Sequence, residues 1–248
     1  MKKLLAAFIF FTRLPFWRIA EVPTEYYKRV VELWPLTGWL TGGIMALAFW
    51  GASHLFPVPC AVIIALIIRL LVTGALHEDG FADFADGFGG GTSRTSVLAI
   101  MKDSHIGTYG VLALLLYYAL MITLLSSFSV KLLCMAMLGA DSWSKTCASQ
   151  IVNLLPYARK ENEAKNRTIY SRMSPIAWVI NIAVGALPLL LLPGITWAAA
   201  IAPVIVSLTL FAFMRHKIQG YTGDCCGATF IFCELSFYLG LRVCLELV

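Results

Sequence analysis

Seven apolar stretches, at about residues 35–56, 58–76, 108–128, 130–151, 175–193, 195–214 and 228–247, take up most of the 248-residue chain. Each is close to the roughly 20 residues a helix needs to cross a bilayer, and each is bounded by proline, glycine or charge. In lipid every backbone N–H and C=O must be paired within its own segment, so spans of this kind are helices. The expectation is all-α: a polytopic membrane bundle of about seven transmembrane helices, forming one membrane-embedded domain over residues 1–248. A mean hydropathy of +0.79 with 59% hydrophobic residues excludes an ordinary soluble domain. Gly38-x-x-x-Gly42 is a small-residue pattern that lets two helices approach closely. No inverted repeat is visible, which counts against a symmetric transporter.

The tight connections Pro57-Val58-Pro59, Ser129-Val130-Lys131 and Pro193-Gly194 pair the spans into hairpins. The N-terminal segment 1–34 and the long connections 77–107, 152–174 and 215–227 then fall on one side. That side carries fifteen of the nineteen Lys and Arg residues, against Lys131 alone on the other. By the positive-inside rule it is the cytoplasmic face. The net charge of +5 reads as topology signal and affinity for the lipid bilayer, not as nucleic-acid binding. The run Leu4–Phe11 follows Lys2 and Lys3 but lacks a small-residue cleavage site, so it reads as an interfacial or re-entrant segment. The seven cysteines show no C-x-x-C spacing and read as buried small hydrophobes, with neither zinc nor a redox pair implied.

In the first long connection stands His77-Glu78-Asp79-Gly80-Phe81-Ala82-Asp83-Phe84-Ala85-Asp86-Gly87-Phe88-Gly89-Gly90-Gly91. Asp79, Asp83 and Asp86 fall on one helical face, where like charges repel unless something compensates them. A divalent cation does so, and oxygen-only ligands select Mg²⁺ or Mn²⁺. The glycines, Gly89 and Gly90 among them, are expected to stop the helix and admit a bulky or phosphorylated ligand. His77 beside the acids is a candidate acid/base.

Three more groups share that face. Lys102 and Asp103 precede the third span, Lys102 to answer phosphate charge and Asp103 as a further carboxylate, a base or a helix cap. Thr222-Gly223-Asp224 opens the last span with a carboxylate at the boundary. Tyr157, Arg159, Lys160, Lys165, Arg167 and Arg172 form a cationic strip suited to polyphosphate or to anionic lipid. Within the spans, Asp141 and Lys145 are spaced to pair with each other, and Glu234 could support the site from below. Carboxylates and cations gathered with glycine on one face suggest metal-assisted phosphoryl transfer. The residues themselves do not name its substrate.

The string His77-x-Asp79-Gly80-x-Ala82-Asp83-x-x-Asp86-Gly87 resembles the signature of the cobalamin-5′-phosphate synthases, also called adenosylcobinamide-GDP ribazoletransferases. Phe10-x-Thr12-Arg13-Leu14-Pro15, Met101-x-Asp103-Ser104-x-x-Gly107 and Thr222-Gly223-Asp224-x-x-Gly227-Ala228 are similar to that family's other segments, in order. The resemblance implies a Mg²⁺-dependent membrane enzyme that joins adenosylcobinamide-GDP to α-ribazole or its 5′-phosphate, with release of GMP. The attacking group is expected to be the 5′-hydroxyl of α-ribazole, or the corresponding phosphate form. Carried onto this chain, the resemblance implies Asp79, Asp83, Asp86 and Asp224 as metal ligands and Asp83, Asp103 and His77 as catalytic. Lys102, Arg159, Gly89, Gly90, Thr222 and Gly223 would contact substrate. Glu78 stands where the family is expected to be apolar, and Gln219 where a glycine is expected. A homo-oligomer is compatible with the sequence but not specified by it.

Two other readings compete. The CDP-alcohol phosphotransferases share an Asp-Gly-x-x-Ala helix, but their motif continues with an Arg and two later aspartates four apart. Here Asp83 follows Ala82 and Gly91 closes the run. A divalent-cation transporter needs carboxylates near mid-bilayer on facing spans, whereas most acids here lie at one boundary.

Overall fold

The computed structural model describes residues 1–159 and 169–247; Lys160, Lys165 and Arg167 of the cationic strip lie outside them. The helices are α1 (Lys2–Phe11), α2 (Trp34–Ser53), α3 (Val58–Thr73), α4 (Leu76–Gly90), α5 (Arg94–Ile100), α6 (Thr108–Leu125), α7 (Val130–Ser149), α8 (Ile151–Leu154), α9 (Pro175–Ala186), α10 (Ile201–Ile218) and α11 (Gly223–Glu246). Tighter 3₁₀ turns lead into α2 over Thr24–Leu33, extend α9 over Leu187–Leu191 and lead into α10 over Gly194–Ala200. Among the described residues there is no strand, and the fold is an all-α membrane bundle.

Among the described residues, four helical stretches are long and apolar enough to cross a bilayer: Thr24–Ser53, Thr108–Leu125, Gly194–Ile218 and Gly223–Glu246. The bent pair α3–α4 makes a fifth if it counts as one span, so the expected seven is not reached on this criterion. The apolar helix Pro175–Leu191 is shorter. Helix α7 has the length but carries Asp141, Ser142, Ser144 and Lys145, all buried against its neighbours.

Helices α2 and α7 pack backbone to backbone, as the small-residue pattern predicts. A Cβ on Gly38 would stand 2.7 Å from Ser142 Cα, and one on Gly42 would stand 2.7 Å from the Met137 carbonyl. This approach lets Thr41 donate to Asp141 at 2.9 Å and accept from Lys145 at 2.6 Å, while Lys145 and Asp141 form a buried ion pair. The expected self-pairing of these two charges is what the structure shows.

The second span ends earlier than its hydropathy suggests. Gly74 (φ 66°) and Ala75 (φ 55°) are both left-handed, and the chain turns by 92° from α3 into α4. Glycine adopts this conformation freely and alanine does so at a cost. The Arg13 side chain packs on Gly74, where a Cβ would come within 2.4 Å of Nε, and the Arg13 N–H donates to the Val72 carbonyl at 2.7 Å. The Thr12-Arg13-Leu14-Pro15 segment therefore locks the corner at which α4 begins.

The connection 77–107 is mostly helix. As expected, the glycine run stops α4: the helix runs through Gly89 and Gly90 and closes at Gly91, whose backbone is extended.

Candidate active site

A cavity of about 140 Å³ lies where the end of α1, the start of α2, the first turns of α4 and the first turn of α11 converge with the segment around Tyr157. Local geometry explains the convergence. Gly80 faces α11 so closely that a Cβ there would stand 3.0 Å from Asp224 Cα, and one on Gly227 would stand 3.0 Å from the His77 carbonyl. These two glycines let α4 cross the N-terminal turn of α11, which places Asp79 and Asp224 on one cavity wall. Thr222 caps α11, accepting from the Cys225 N–H at 3.4 Å and donating to Asp224 at 3.3 Å.

Arg159 arrives through a two-residue stitch: Ala158 N–H donates to the Tyr221 carbonyl at 2.8 Å, and Tyr221 N–H donates to the Pro156 carbonyl at 3.0 Å. The stitch is tight against Gly220 and follows Gln219, whose φ of 57° is left-handed. The glycine expected at that position is one the backbone would favour. Arg94 reinforces the joint, donating to the Ile218 and Ala158 carbonyls at 2.9 and 2.6 Å. Arg159 itself is buried. Its Nη2 donates to the Leu98 carbonyl at 3.0 Å, and its Nη1 has no hydrogen-bond partner among the described residues. Burial pushes the neighbouring Tyr157 phenol up to about 12, although the Arg159 charge pulls the other way.

The structure brings together Asp79, Asp224, Gly223, Arg159 and His77 around this cavity. Asp83, half-buried one turn along α4, is outside its lining. Thr222 serves as a buried cap.

Five expected residues are employed elsewhere. Asp86 does not face the other aspartates as a ligand; it is buried, with one carboxylate oxygen accepting Gly107 N–H at 2.7 Å and the other Gly110 N–H at 2.9 Å. It thereby satisfies the exposed donors at the start of α6, a favourable place for a negative charge. Asp103 is on the surface, hydrogen-bonded to its neighbour His105 through both the ring at 2.7 Å and the backbone N–H at 3.0 Å. The His105 bonds hold its carboxyl below the usual range. Gly89 packs beneath the Tyr109 ring and Gly90 near Ile100, away from the cavity. Lys102 lines a separate hollow of about 480 Å³ with Arg94, and Arg159 forms the wall between the two.

Glu78, which the sequence left without a role, is buried in an ion network. Arg69 on α3 donates to Glu78 at 3.2 Å and to the Tyr117 hydroxyl at 2.9 Å, and also binds Glu234. Tyr117 in turn donates to Glu234 at 3.0 Å. The network ties the first turn of α4 to α3, α6 and α11, next to Asp79. Arg69 and Glu234 carried the only advance signal, as charges inside apolar stretches.

Among the described residues, no three His, Cys, Asp or Glu side chains are grouped to hold a metal ion by themselves. Mg²⁺ does not require such a cage; it usually takes one or two carboxylates and completes its shell with water and substrate phosphate. Asp79 and Asp224 on one wall fit that pattern.

The profile of the family described as cobalamin-5-phosphate synthase matches residues 3–242. The chain is 34% identical over 245 residues to the adenosylcobinamide-GDP ribazoletransferase of Shewanella sp. (strain W3-18-1), covering 96% of this chain and 93% of that one. It is 36% identical over 238 residues to the enzyme of the same name from Shewanella frigidimarina (strain NCIMB 400), covering 94% and 91%. No solved structure gives a significant match.

Proposed function

The chain belongs to the cobalamin-5-phosphate synthase family, and on that premise we propose that its cavity is where adenosylcobinamide-GDP and α-ribazole, or α-ribazole 5′-phosphate, are joined with release of GMP. The observation that carries this reading is the convergence of Asp79, Asp224 and Arg159 on one cavity. Two acids and a cation brought together from three distant parts of the chain are a set suited to a metal-bound pyrophosphate.

The reaction is a phosphoryl substitution. A ribose hydroxyl of the acceptor attacks the corrinoid-side phosphorus, a new P–O bond forms, and the bridging P–O bond breaks to leave GMP. Since a 5′-phosphorylated acceptor gives a 5′-phosphorylated product, the attacking oxygen is a secondary ribose hydroxyl; this replaces the 5′-hydroxyl expected from the sequence. Asp79 and Asp224 are the residues that would hold Mg²⁺, which when bound would supply charge neutralisation on the pyrophosphate. Arg159 presents a buried N–H to the phosphate oxygens and offsets charge as the leaving group departs. The carboxylate of Asp79 or Asp224 lies within the same wall to accept the hydroxyl proton. Tyr157, held as a neutral phenol, can donate a hydrogen bond but cannot serve as the base. The cavity faces the cytoplasmic side of the inner membrane, in keeping with the charge asymmetry of the connections.

The test is GMP release from adenosylcobinamide-GDP and α-ribazole by the full-length protein in lipid vesicles, with and without chelator. Asp79→Ala and Asp224→Ala are expected to abolish release, and Mg²⁺ to restore it only in the wild type. Full activity after thorough chelation would end the metal-assisted reading, and full activity in both variants would move the site elsewhere.

A further inference from the structure

Half of the cavity is left unused by pyrophosphate chemistry. Beside the two aspartates its wall is aromatic, with Phe10, Phe11, Trp34, His77 and Tyr170 in the lining. Phe11 and Trp34 stack with centroids 5.0 Å apart and planes 8° from parallel, and His77 tilts against Trp34 at 5.5 Å. Trp34 is 1% exposed and His77 3%, yet Trp34 Nε1 and His77 Nε2 have no hydrogen-bond partner among the described residues. Buried polar atoms without partners are rare, and an indole N–H can do nothing but donate. Both residues line the same cavity as the two acids and Arg159, and the combination suits a ligand that is flat, apolar and equipped with an acceptor.

We propose that this aromatic half holds the bicyclic base of the acceptor nucleoside, with the Trp34 indole N–H donating to the base's unsubstituted ring nitrogen. The inference rests on the proposed reaction and adds to it which substrate enters where. A benzimidazole riboside has one ring nitrogen bonded to ribose and one bare in-plane acceptor, with no N–H of its own. It therefore matches a donor-bearing aromatic wall. Guanine brings an amino group and a ring N–H that need acceptors, which the Trp34 indole cannot supply. With the base against Trp34, the ribose lies towards Asp79 and Asp224, so one cavity sets both specificity and the position of the attacking hydroxyl. Phe10 and Phe11 come from the end of α1 and Trp34 from the first turn of α2, which gives the N-terminal part of the chain a role in substrate choice.

The test uses full-length protein in vesicles and two perturbations of the same hydrogen bond. Trp34→Phe keeps a ring and removes the N–H; the indole riboside analogue keeps the base's shape and replaces its acceptor nitrogen with C–H. Equilibrium dialysis reads nucleoside binding, and GMP release reads KM for each substrate. The expected results are about tenfold weaker binding of α-ribazole in Trp34→Phe, the loss typical of one buried hydrogen bond, with KM for adenosylcobinamide-GDP unchanged. The wild type should bind the analogue more weakly by a similar factor, and Trp34→Phe should no longer distinguish the two nucleosides. A shift in KM for the GDP substrate alone would assign the wall to guanine and overturn the proposal. Equal wild-type affinity for nucleoside and analogue would overturn it as well, whether or not Trp34→Phe folds. If the wild type binds α-ribazole and releases GMP while either result occurs, only this inference fails; if it does neither, the proposed reaction fails too.

Discussion

Replacing Asp86 by Asn separates the two roles that its place in the acidic run allows. In the structure its oxygens accept the Gly107 and Gly110 N–H groups at 2.7 and 2.9 Å, and the Gly110 bond is buried. Asparagine keeps one carbonyl oxygen but turns an NH₂ group towards the other backbone donor. One charge-assisted hydrogen bond is lost, about 1.5–3 kcal/mol, together with the charge–dipole attraction at the α6 N-terminus, about 0.3–2 kcal/mol. A total of about 2–5 kcal/mol lowers the unfolding midpoint by roughly 4–20 °C for a domain of this size. Thermal unfolding followed by tryptophan fluorescence in vesicles measures that shift, and GMP release against Mg²⁺ concentration measures metal demand. The cap predicts a lowered midpoint, with half-saturation by Mg²⁺ unchanged below it. Asp79→Asn, at an exposed position lining the cavity, should do the reverse: an unchanged midpoint and a Mg²⁺ requirement raised at least about tenfold. An Asp86→Asn protein with a wild-type midpoint and that raised requirement would refute the cap and make Asp86 a ligand.

Gly80→Val places a side chain against the Asp224 backbone, which a Cβ already approaches to 3.0 Å; a displacement of about 1 Å between the two acids should cost on the order of 100-fold in kcat/KM, read by GMP release. Arg69→Met leaves Glu78 and Glu234 buried without their cation and should cost about 3–5 kcal/mol, visible as a fall in unfolding midpoint that Arg69→Met/Glu234→Gln partly recovers. Tyr157→Phe should leave the alkaline limb of the pH–rate profile in place, because burial pushes that phenol to about 12 and it does not ionise over the working range; a limb that vanishes in the variant would make Tyr157 an ionising catalytic group. Gln219→Gly relieves a left-handed non-glycine residue and should raise stability by up to about 1 kcal/mol, measured by the same thermal unfolding.

What the sequence made legible follows from period and charge. Helical spans, the close α2–α7 crossing at Gly38 and Gly42 and the Asp141–Lys145 pair are local or near-local patterns, and they are present as expected. The 92° corner at Gly74–Ala75 was not legible, because Ala75 is an unlikely left-handed residue and only the packing of Arg13 selects it. The division of labour among the acids was not legible either. Asp79, Asp83 and Asp86 share a helical face in projection, but what each meets depends on which helix crosses that face at its level. Helix α11 crosses at Gly80 and the start of α6 at Asp86, so one aspartate borders a cavity and another caps a helix.

The same reasoning explains why Glu78 looked superfluous. A charge adjacent to a motif gains no meaning from spacing when its partner is nine residues upstream on the far side of a corner, as Arg69 is. Once the corner is in place, Glu78 and Asp79 diverge by about 100° around α4, one into the bundle and one to the cavity. Arg69 binds two acids from α4 and α11, the two helices whose crossing forms the site. A buried network of this kind gains little net stability from charge, because desolvation offsets most of the attraction. It does penalise every alternative in which either helix slides and leaves a charge unpaired. The position of Asp79 relative to Asp224 is therefore held twice, by glycine contact at the surface of the crossing and by Arg69 beneath it.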